Sequence, residues 1–366
     1  MNISGFILVF NYFKKNKTFK VAKVSLYYRV MFSLLILWSF FTIIRSFSFD
    51  SQSLITLFGH YLMGWAWLTP LAIVFGFKLS NWVFLFDYFG KLLLIVSIIT
   101  LGSLFYNQRI IFGLLEWMAF LPILVLTYSI QNGKNKTIIL FSIAAYLVLS
   151  YRASQRANLL LLVILGVFVI LNIYKERKRH YKKIGLSLIM IIGFFVLLLN
   201  GQKYFNELSS DKDLTVDTRT FLYEELFLDF KDNTIIYGRG VLGTYYSEYF
   251  NNWNKSEEGG DSETRILIEV GYLHIILKGG VIMLILHLLI LIPAAYLGIF
   301  KSKNVIAKMS GVLILAYLIL WLVSYYQIYS AEYILLWMAV GTVISSRTRL
   351  MTNIDINNNY LKQTHR

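Results

Sequence analysis

The sequence predicts an all-α polytopic membrane protein with about ten transmembrane helices and one large extracytoplasmic loop that contains short amphipathic helices. Two numbers point to a membrane. Of the 366 residues, 57% are hydrophobic and only 15% are charged, whereas soluble domains carry roughly 25% charged residues. In addition, apolar runs of the roughly 20 residues needed to cross a bilayer recur along the chain. We predict helices in these runs because a backbone in contact with lipid must satisfy its own hydrogen bonds.

The apolar runs predict ten spans in chain order. They cover residues 26–45, 56–77, 86–106, 110–130, 137–151, 157–174, 184–200, 279–300, 305–326 and 331–346. The third span begins with two opposite charges, Asp87 and Lys91, which are four residues apart and can pair on one face of a helix.

Basic residues predict the orientation of the spans. They concentrate in short connections that all fall on one side of the predicted layout, at residues 14–23, 78, 134–136, 175–183 and 301–303 and in the tail. Cytoplasmic loops carry an excess of Lys and Arg. We therefore expect both termini, residues 1–25 and 347–366, to be cytoplasmic in a bacterial cytoplasmic (inner) membrane. The formal net charge of +15 follows from this distribution and does not indicate binding to nucleic acid. We expect no cleavable signal peptide, because the start lacks a basic n-region and a small-residue cleavage site.

Between these termini, we predict four segments. A membrane domain of about seven spans covers residues 26–200, and a large extracytoplasmic loop covers residues 201–264. An interfacial helix follows at 265–278, and a second membrane domain of about three spans covers 279–346. The loop holds 13 of the 20 acidic residues of the chain. It carries apolar and aromatic side chains throughout, which argues against disorder.

Two patterns stand out within the loop. Residues 216–233 have apolar side chains near helical spacing and predict an amphipathic helix. After it, Gly238 and Gly240 allow the backbone to bend or to approach another surface closely. Tyr245 and Tyr246 suit stacking against sugars, and they equally suit the belt of aromatic residues at a membrane interface. We take these glycines and tyrosines as candidates for substrate binding.

Five arginines fall on the predicted outer face, against the usual distribution of positive charge. Arg152 and Arg156 lie in a short connection between spans and share a face if that connection is helical. Arg219, Arg239 and Arg265 belong to the large loop. The planar guanidinium group matches phosphate oxygens in bidentate geometry, so a lipid diphosphate is a natural ligand. Each arginine could instead pair with a loop acid or extend to the interface. For the first two, we favour anion binding.

Three carboxylates near the membrane are candidates for a general base. Transfer of a sugar from a lipid diphosphate to a hydroxyl needs a base for the acceptor proton and stabilisation of the leaving group. We consider Glu263 and Glu269 first and Asp261 next. A structural role for Glu269, and simple solvation for the others, are the alternatives.

Several other kinds of chemistry are excluded or not indicated. The chain has no cysteine, which excludes disulfides, thiolate catalysis and Cys-ligated metals. His60, His274 and His287 lie in mostly apolar surroundings and are predicted to pack rather than to ligate. No HExxH motif occurs, and the glycines lack the GK[ST] of a phosphate-binding loop. We expect no metal site and no cofactor.

Three local features resemble the bacterial O-antigen polymerase (Wzy-like) and O-antigen ligase superfamily of polytopic membrane glycosyltransferases. The first is "LSYRASQRANLLLLVI" at 149–164, a short outer turn with Ser and Arg that leads into a span. The second is "DTRTFLYEELFLDFKDNTIIYGRGVLGTYY" at 217–246, an arginine-bearing helix followed by a glycine-rich turn. The third is "ETRILIEVGYLHIILKGGVIMLIL" at 263–286, an E-x-G segment followed by a glycine and a span.

The resemblance implies a GT-C-like architecture and metal-independent glycosyl transfer at the outer face. The donor would be an oligosaccharide on undecaprenyl diphosphate. Arg152 and Arg156 would hold the diphosphate, and the three loop arginines would line the groove. Family ligases usually show a histidine before the E-x-G segment. "EEGGDSETR" has none, which shifts the base role to Glu263 or Asp261 and favours a polymerase. Further partners implied are a chain-length regulator and a flippase of the same pathway, together with membrane lipids.

Three other functions compete with polymerisation of repeat units for O-antigen, capsule or exopolysaccharide. One is an O-antigen ligase that transfers glycan to a lipid or protein acceptor. Another is a flippase or transporter of lipid-linked sugars, which would place polar groups near the midplane of the membrane; here most of the polarity lies in one outer loop. The third is a structural partner in an export complex, which does not require several outer arginines.

Overall fold

The computed structural model describes most of the chain and divides it into two compact units. The described residues are 22–47, 50–59, 63–102, 118, 120–131, 133–152, 156–176, 220–230, 234–248, 251, 264–324 and 326–356. The first unit combines both ends of the chain, Met1–Val83 and Asp217–Arg366, and the second unit is Phe84–Val216. Both are mostly helical, as the composition predicted.

Helices make up most of the described chain. In chain order they are α1 (Leu26–Ile44), α2 (Ser51–Gly59), α3 (Gly64–Leu68), the 3₁₀ helix Thr69–Phe77, α4 (Leu79–Gly102), α5 (Leu121–Leu126), the 3₁₀ turn Tyr128–Ile130, α6 (Gly133–Arg152), α7 (Arg156–Glu176), α8 (Thr220–Asp229), α9 (Thr234–Tyr237), α10 (Gly271–Lys301), α11 (Val305–Leu320), α12 (Ala331–Ile344), α13 (Ser346–Arg349) and α14 (Asn353–Ile356). Two short strands, β1 (Tyr245–Tyr246) and β2 (Thr264–Arg265), form an antiparallel pair.

Two of the described helices, α1 and α10, are long and apolar enough by length and composition to cross a membrane. The number rises to three if the bent pair Gly64–Phe77 and Leu79–Phe86 is one span. Among the shorter apolar helices are α11 and α12. The structure therefore supports a helical protein with at least two candidate spans, and the ten-span layout stays a prediction. The predicted span at 184–200 lies outside the described residues.

The apolar run predicted as one span at 56–77 is divided into several short helices. Helix α2 ends at Gly59, α3 begins at Gly64, and the rest of the run is a 3₁₀ helix with Pro70 in its first turn. Proline has no amide hydrogen and is best tolerated in the first turn of a helix, so Pro70 favours a new helix start here. Glycine also lowers helix propensity. Hydropathy alone predicted one helix here because it takes no account of these breaks.

In the first unit, α1 packs antiparallel against the middle of α10. The Tyr27 hydroxyl donates to the carbonyl of Leu289 at 2.6 Å, and the Trp38 indole nitrogen donates to the carbonyl of Gly279 at 2.7 Å. Tyr27 at the start of α1 and Trp38 in its second half therefore lie beside two points on α10 that are ten residues apart. A helix rises about 1.5 Å per residue, so these contacts run along roughly 15 Å of the shared helix length.

Basic segments of the first unit meet at one end. Val24 forms an isolated antiparallel bridge with Ser345, and the Thr348 hydroxyl donates to the carbonyl of Phe77 at 3.1 Å. The Asn304 amide donates to the carbonyl of Thr348 at 2.9 Å. The cations on these connected segments are Lys23, Lys78, Lys301, Lys303, Arg347 and Arg349. The charge pattern predicts that this end is cytoplasmic.

Helix α10 is two helical segments joined at Gly280. This residue has φ 73° and ψ −177°, outside the helical region, within a helix of 31 residues. The segment after the break, residues 281–301, is about 30 Å long at 1.5 Å per residue, close to the thickness of a bilayer core. The glycine pair in the sequence predicts the start of a membrane span at residue 279. The apolar pattern also predicts helix from 265, where the structure has a strand and then a helix that begins at Gly271.

The second unit contains most of α4 and helices α5, α6 and α7. A hydrogen bond of 2.8 Å between the hydroxyls of Ser97 and Ser142 joins α4 to α6. Helix α6 ends at Arg152 and α7 begins at Arg156, so both arginines lie at helix ends beside the turn that the sequence predicted.

Candidate functional site

The glycine-rich turn of the loop lies directly against the break in α10. Gly238 has φ 73°, and a Cβ atom there would lie 2.4 Å from the amide nitrogen of Gly280. A Cβ atom on Gly280 would lie 2.1 Å from the carbonyl oxygen of Ile236. Real Cβ atoms do not come this close to other atoms, so this contact requires glycine on both sides. We call this contact, between residues 234–246 and residues 277–280, the loop–helix junction.

Main-chain hydrogen bonds hold the junction together. The amide of Arg239 donates to the carbonyl of Leu277 at 2.7 Å, and the amide of Gly240 donates to the carbonyl of Lys278 at 2.9 Å. Because Gly280 leaves the helical conformation, carbonyls in the preceding turn can accept bonds from the loop. Buried backbone groups must find such partners. The break in the helix thus supplies the acceptors that fix the loop.

The C-terminal end of α1 also contacts the junction. Arg45 donates from its guanidinium group to the carbonyl of Gly238 at 2.5 Å, and it lies 5.5 Å from the centre of the Phe41 ring. The Ser46 hydroxyl accepts from the amide of Leu242 at 3.1 Å. Arg45 was not among the predicted site residues. Its signal was available in the sequence, since it is a cation at the predicted outer end of the first span, where positive charge is not expected.

Arg239 is tied to the end of α8 by several contacts. Its guanidinium group pairs with the carboxylate of Asp229 and also donates to the carbonyls of Asp229 at 2.9 Å and Thr244 at 2.7 Å. It lies 4.9 Å from the centre of the Phe230 ring. The side chain of Arg239 is 25% exposed. This is the pairing with a loop acid that the sequence left open as an alternative to anion binding.

Arg265 and Glu269 form a second ion pair beside the small sheet. The Arg265 guanidinium lies 2.9 Å from a carboxylate oxygen of Glu269. In the sheet, Tyr245 stands opposite Arg265. Tyr245 is buried, whereas its neighbour Tyr246 is 42% exposed. Burial raises the pKa of Tyr245 to about 12, and the positive charge of Arg265 acts in the opposite direction. Of the two tyrosines, Tyr246 is therefore the one available for stacking.

Helix α8 positions these groups through its apolar face. Leu222 and Leu226 are fully buried in a cluster that includes Leu273 and Leu277 of α10. On the same helix, Glu225 accepts a hydrogen bond of 2.6 Å from the hydroxyl of Ser247. The amphipathic helix predicted at 216–233 corresponds to Thr220–Asp229 within the described residues. Its packing brings the Asp229 carboxylate to Arg239.

The predicted site residues divide by what the structure describes. Those gathered at or beside the loop–helix junction are Gly238, Arg239, Gly240, Tyr245, Tyr246, Arg265 and Glu269. Arg219, Asp261 and Glu263 lie outside the described residues, and so do the side chains of Arg152 and Arg156. Within the described part of the chain, no group of three His, Asp or Glu residues could hold a metal ion.

The comparisons with known proteins agree with the resemblance found in the sequence. A family model described as O-antigen ligase matches residues 138–288, less than half of the chain. The matched segment runs from α6 through the loop into α10 and includes the junction. No curated protein matches the chain. The match to the family model supports the assignment of this chain to the O-antigen ligase and polymerase superfamily.

Proposed function

We propose that this protein polymerises oligosaccharide repeat units carried on undecaprenyl diphosphate, at the outer face of the cytoplasmic membrane. The observation that carries the proposal is the family match over residues 138–288. The match includes the connection with Arg152 and Arg156, which we predict to be on the outer side, and it also includes the loop segment that contacts α10. The family match supports a glycosyltransferase-like activity in an O-antigen type of pathway. Metal independence and the lipid-linked donor belong to the proposal.

The proposed reaction has a simple balance. A bond forms between the acceptor hydroxyl oxygen and the anomeric carbon of the donor sugar, and the bond from that carbon to the phosphate oxygen breaks. The hydroxyl proton passes to a carboxylate, and undecaprenyl diphosphate leaves with its negative charge. General base catalysis typically contributes about 10²–10⁴-fold to such a step. Fixed positive groups stabilise the leaving diphosphate.

The ion pairs of the junction affect which carboxylate we propose as the base. Glu269 pairs with Arg265 at 2.9 Å, so its negative charge already has a partner. Glu263 immediately precedes β2 in the chain, and Asp261 is two residues further away. We propose Glu263 as the base, with Asp261 as the alternative and Glu269 as the group that orients Arg265. Arg152 and Arg156 are proposed to hold the diphosphate, Arg219 is proposed to line the groove, and the exposed Tyr246 is proposed to stack on a sugar.

We propose a polymerase rather than a ligase because of one feature of the sequence. The segment "EEGGDSETR", residues 257–265, contains no histidine, whereas ligases of the superfamily usually carry one before the E-x-G segment. A ligase would use the same donor and the same leaving group with a different acceptor. It is therefore the second candidate.

Deletion of the gene followed by glycan analysis tests the proposal. Loss of a polymerase should leave single repeat units on their carrier or on the acceptor core. Loss of a ligase should leave long chains on undecaprenyl diphosphate. Single units trapped on the inner leaflet would indicate a flippase, and unchanged glycans would contradict all three functions. Re-expression of the wild-type gene is the control.

A further inference from the structure

The first segment of α10 carries two deeply buried polar side chains. His274 and Lys278 are each 1% exposed, and they are four residues apart, so they share one face of the helix. A charged side chain without water is expensive unless it is paired, and ionisable groups at membrane depth usually mark a functional site. Both residues lie just before the break at Gly280, and Lys278 contacts the turn that includes Gly243.

Lys278 has no counter-charge among the described residues. Its ammonium group donates to the carbonyl of Gly243 at 2.7 Å, and the described chain offers it no carboxylate within ion-pair distance. Arg239 and Arg265 differ in this respect, because each has its own acid. A lysine has three N–H donors, and one neutral carbonyl neither uses all of them nor balances the charge.

His274 provides a second and independent observation. Neither ring nitrogen has a hydrogen-bond partner in the described part of the structure. The ring stacks on Trp67 with centroids 5.8 Å apart and meets the edge of Tyr326 at 5.7 Å. The indole nitrogen of Trp67, which is also buried, likewise lacks an acceptor there. Unpaired buried donors are rare in native proteins and call for a partner.

These groups share one chemical preference. An ammonium, an indole N–H and an imidazole N–H are all donors, and Lys278 adds a positive charge when it is protonated. A cation would be repelled, and a neutral sugar would leave the charge of Lys278 unbalanced. An oxyanion supplies both the acceptors and the negative charge, with bonds that are shorter and stronger because they are charge-assisted.

We propose that Lys278 and His274, next to Trp67, form an oxyanion-binding site beneath the glycine-rich turn, and that its ligand is the diphosphate of the lipid-linked donor. The identity of this ligand rests on the proposed function, whereas the oxyanion chemistry does not. Phosphate oxygens could also come from phospholipid headgroups or from free phosphate. The experiment therefore separates these sources.

Ligand-induced stabilisation of the full-length protein in neutral detergent tests the site. Farnesyl diphosphate is the probe for a polyprenyl diphosphate, inorganic pyrophosphate for the free anion, and phosphatidylglycerol for a membrane lipid. We expect farnesyl diphosphate to raise the melting temperature most and pyrophosphate to act more weakly through the same residues. A shift produced only by phosphatidylglycerol would overturn the donor assignment. No shift with any probe would overturn the site.

Lys278→Met is the central variant. We expect its affinity for farnesyl diphosphate to fall by about tenfold or more, the usual effect of losing a charge-assisted bond. Without ligand its melting temperature should be equal to or above that of the wild type, because an unbalanced buried charge has been removed. A merely structural lysine predicts the opposite, a lower melting temperature and unchanged affinity. Lys301→Met, at the exposed end of the same helix, is the matched control.

If Lys278→Met does not accumulate, His274→Phe tests the oxyanion-binding site instead. It keeps an aromatic ring against Trp67 and removes both nitrogens, so we expect a folded protein with weaker binding. Two outcomes distinguish a failure of the proposed oxyanion site from a failure of the proposed function. Glycan transfer with an unchanged KM for the lipid donor in Lys278→Met would remove the site and leave the function. Binding that depends on Lys278, without any glycan transfer by the wild type, would remove the function and leave the site.

Discussion

The cationic side chains around the loop–helix junction fall into two groups. Arg239 and Arg265 are paired with acids, whereas Arg45 and Lys278 donate to backbone carbonyls. Charges neutralised within the protein can fix the shape of the loop. Charges for which the described part of the chain offers no acid remain able to attract an anion. The paired arginines therefore suit a structural role and the other two cations suit anion binding, a difference that the sequence alone does not reveal.

Arg239→Ala should lower the stability of the protein. The change removes the pair with Asp229, a bond to Thr244 and the contact with Phe230, for an expected loss of about 2 kcal/mol, since the pair is partly exposed. Thermal unfolding in detergent measures it. Arg347→Ala, an exposed arginine at the other end of the first unit, should change stability by less than about 0.5 kcal/mol. Equal melting temperatures for the two variants would contradict the idea that Arg239 stabilises the loop.

Arg152→Ala and Arg156→Ala should each abolish chain extension while the protein stays in the membrane at normal levels. The reason is loss of a bidentate contact to the leaving diphosphate. Glycan length on gels and membrane immunoblots together measure this. Normal chain lengths in both variants would remove these residues from the mechanism.

Glu263→Gln should be much less active than the wild type, by about 10²-fold or more, because the amide cannot accept the acceptor proton. Glu269→Gln provides the comparison and should affect stability more than the turnover of the folded enzyme, because it weakens the pair with Arg265. Rates of chain extension at matched protein levels separate the two effects. Full activity of Glu263→Gln would move the base role to Asp261 or Glu269.

The sequence predicted the residue types of the candidate site better than their partners. Arginines, carboxylates and tyrosines in one loop pointed to anion and sugar chemistry, and seven of the named residues do meet at or beside the junction. The pairing of Arg239 with Asp229 was not predictable. It depends on α8 ending at Asp229 and on the backbone conformation at Gly238 and Gly240, which both have a positive φ. Single-sequence patterns do not give such details.

Among the elements, the interrupted helix α10 has the largest effect on the site. Its break supplies carbonyl acceptors to the turn, and its first segment buries Lys278 while its second segment packs along α1. The two glycines at residues 279 and 280 were visible in the sequence, and they predicted a boundary there. The strand pair Tyr245–Tyr246 with Thr264–Arg265 was missed, because two-residue strands have no periodicity to detect.

Gly280→Ala should strongly destabilise the junction. Gly280 has a positive φ, and the new Cβ would lie 2.1 Å from the carbonyl oxygen of Ile236. We expect a loss of about 3 kcal/mol or more, or failure to accumulate, from strain and steric overlap together. Fluorescence-detected size exclusion and thermal unfolding measure it.

Gly133→Ala is the control for this variant. Gly133 is the first residue of α6, and a Cβ atom at this position would have no other atom within 4 Å apart from its own backbone neighbours. It should be neutral or slightly stabilising. An equal loss in both variants would show that the effect does not come from the junction.

At the scale of the whole molecule, the composition predicted the membrane-protein class and the mostly helical fold, and the family match over residues 138–288 supports the superfamily. The gathering of basic segments at one end of the first unit was implied by the positive-inside rule. The number of spans was harder to predict. Hydropathy cannot distinguish a continuous helix from the short pieces found between residues 51 and 77.

The predicted orientation can be tested directly because the chain has no cysteine. Glu224→Cys places a thiol on the exposed side of α8, and Arg347→Cys places one at the basic end. We expect a membrane-impermeant maleimide to label the first in intact spheroplasts and the second only after permeabilisation. The reverse labelling pattern would place the loop in the cytosol and would remove the proposed glycan assembly role.

The bridge between Val24 and Ser345 has a consequence for biosynthesis. Helix α1 leaves the ribosome before the residues that it contacts. Its hydrogen-bond acceptors at Gly279 and Leu289 are translated much later, and so is Ser345, the bridge partner of Val24. The intervening polypeptide must emerge while α1 still lacks its contacts with α10. This unit therefore cannot be completed before Ser345 is translated, and chains that stop short of Ser345 should be prime substrates for membrane quality-control proteases.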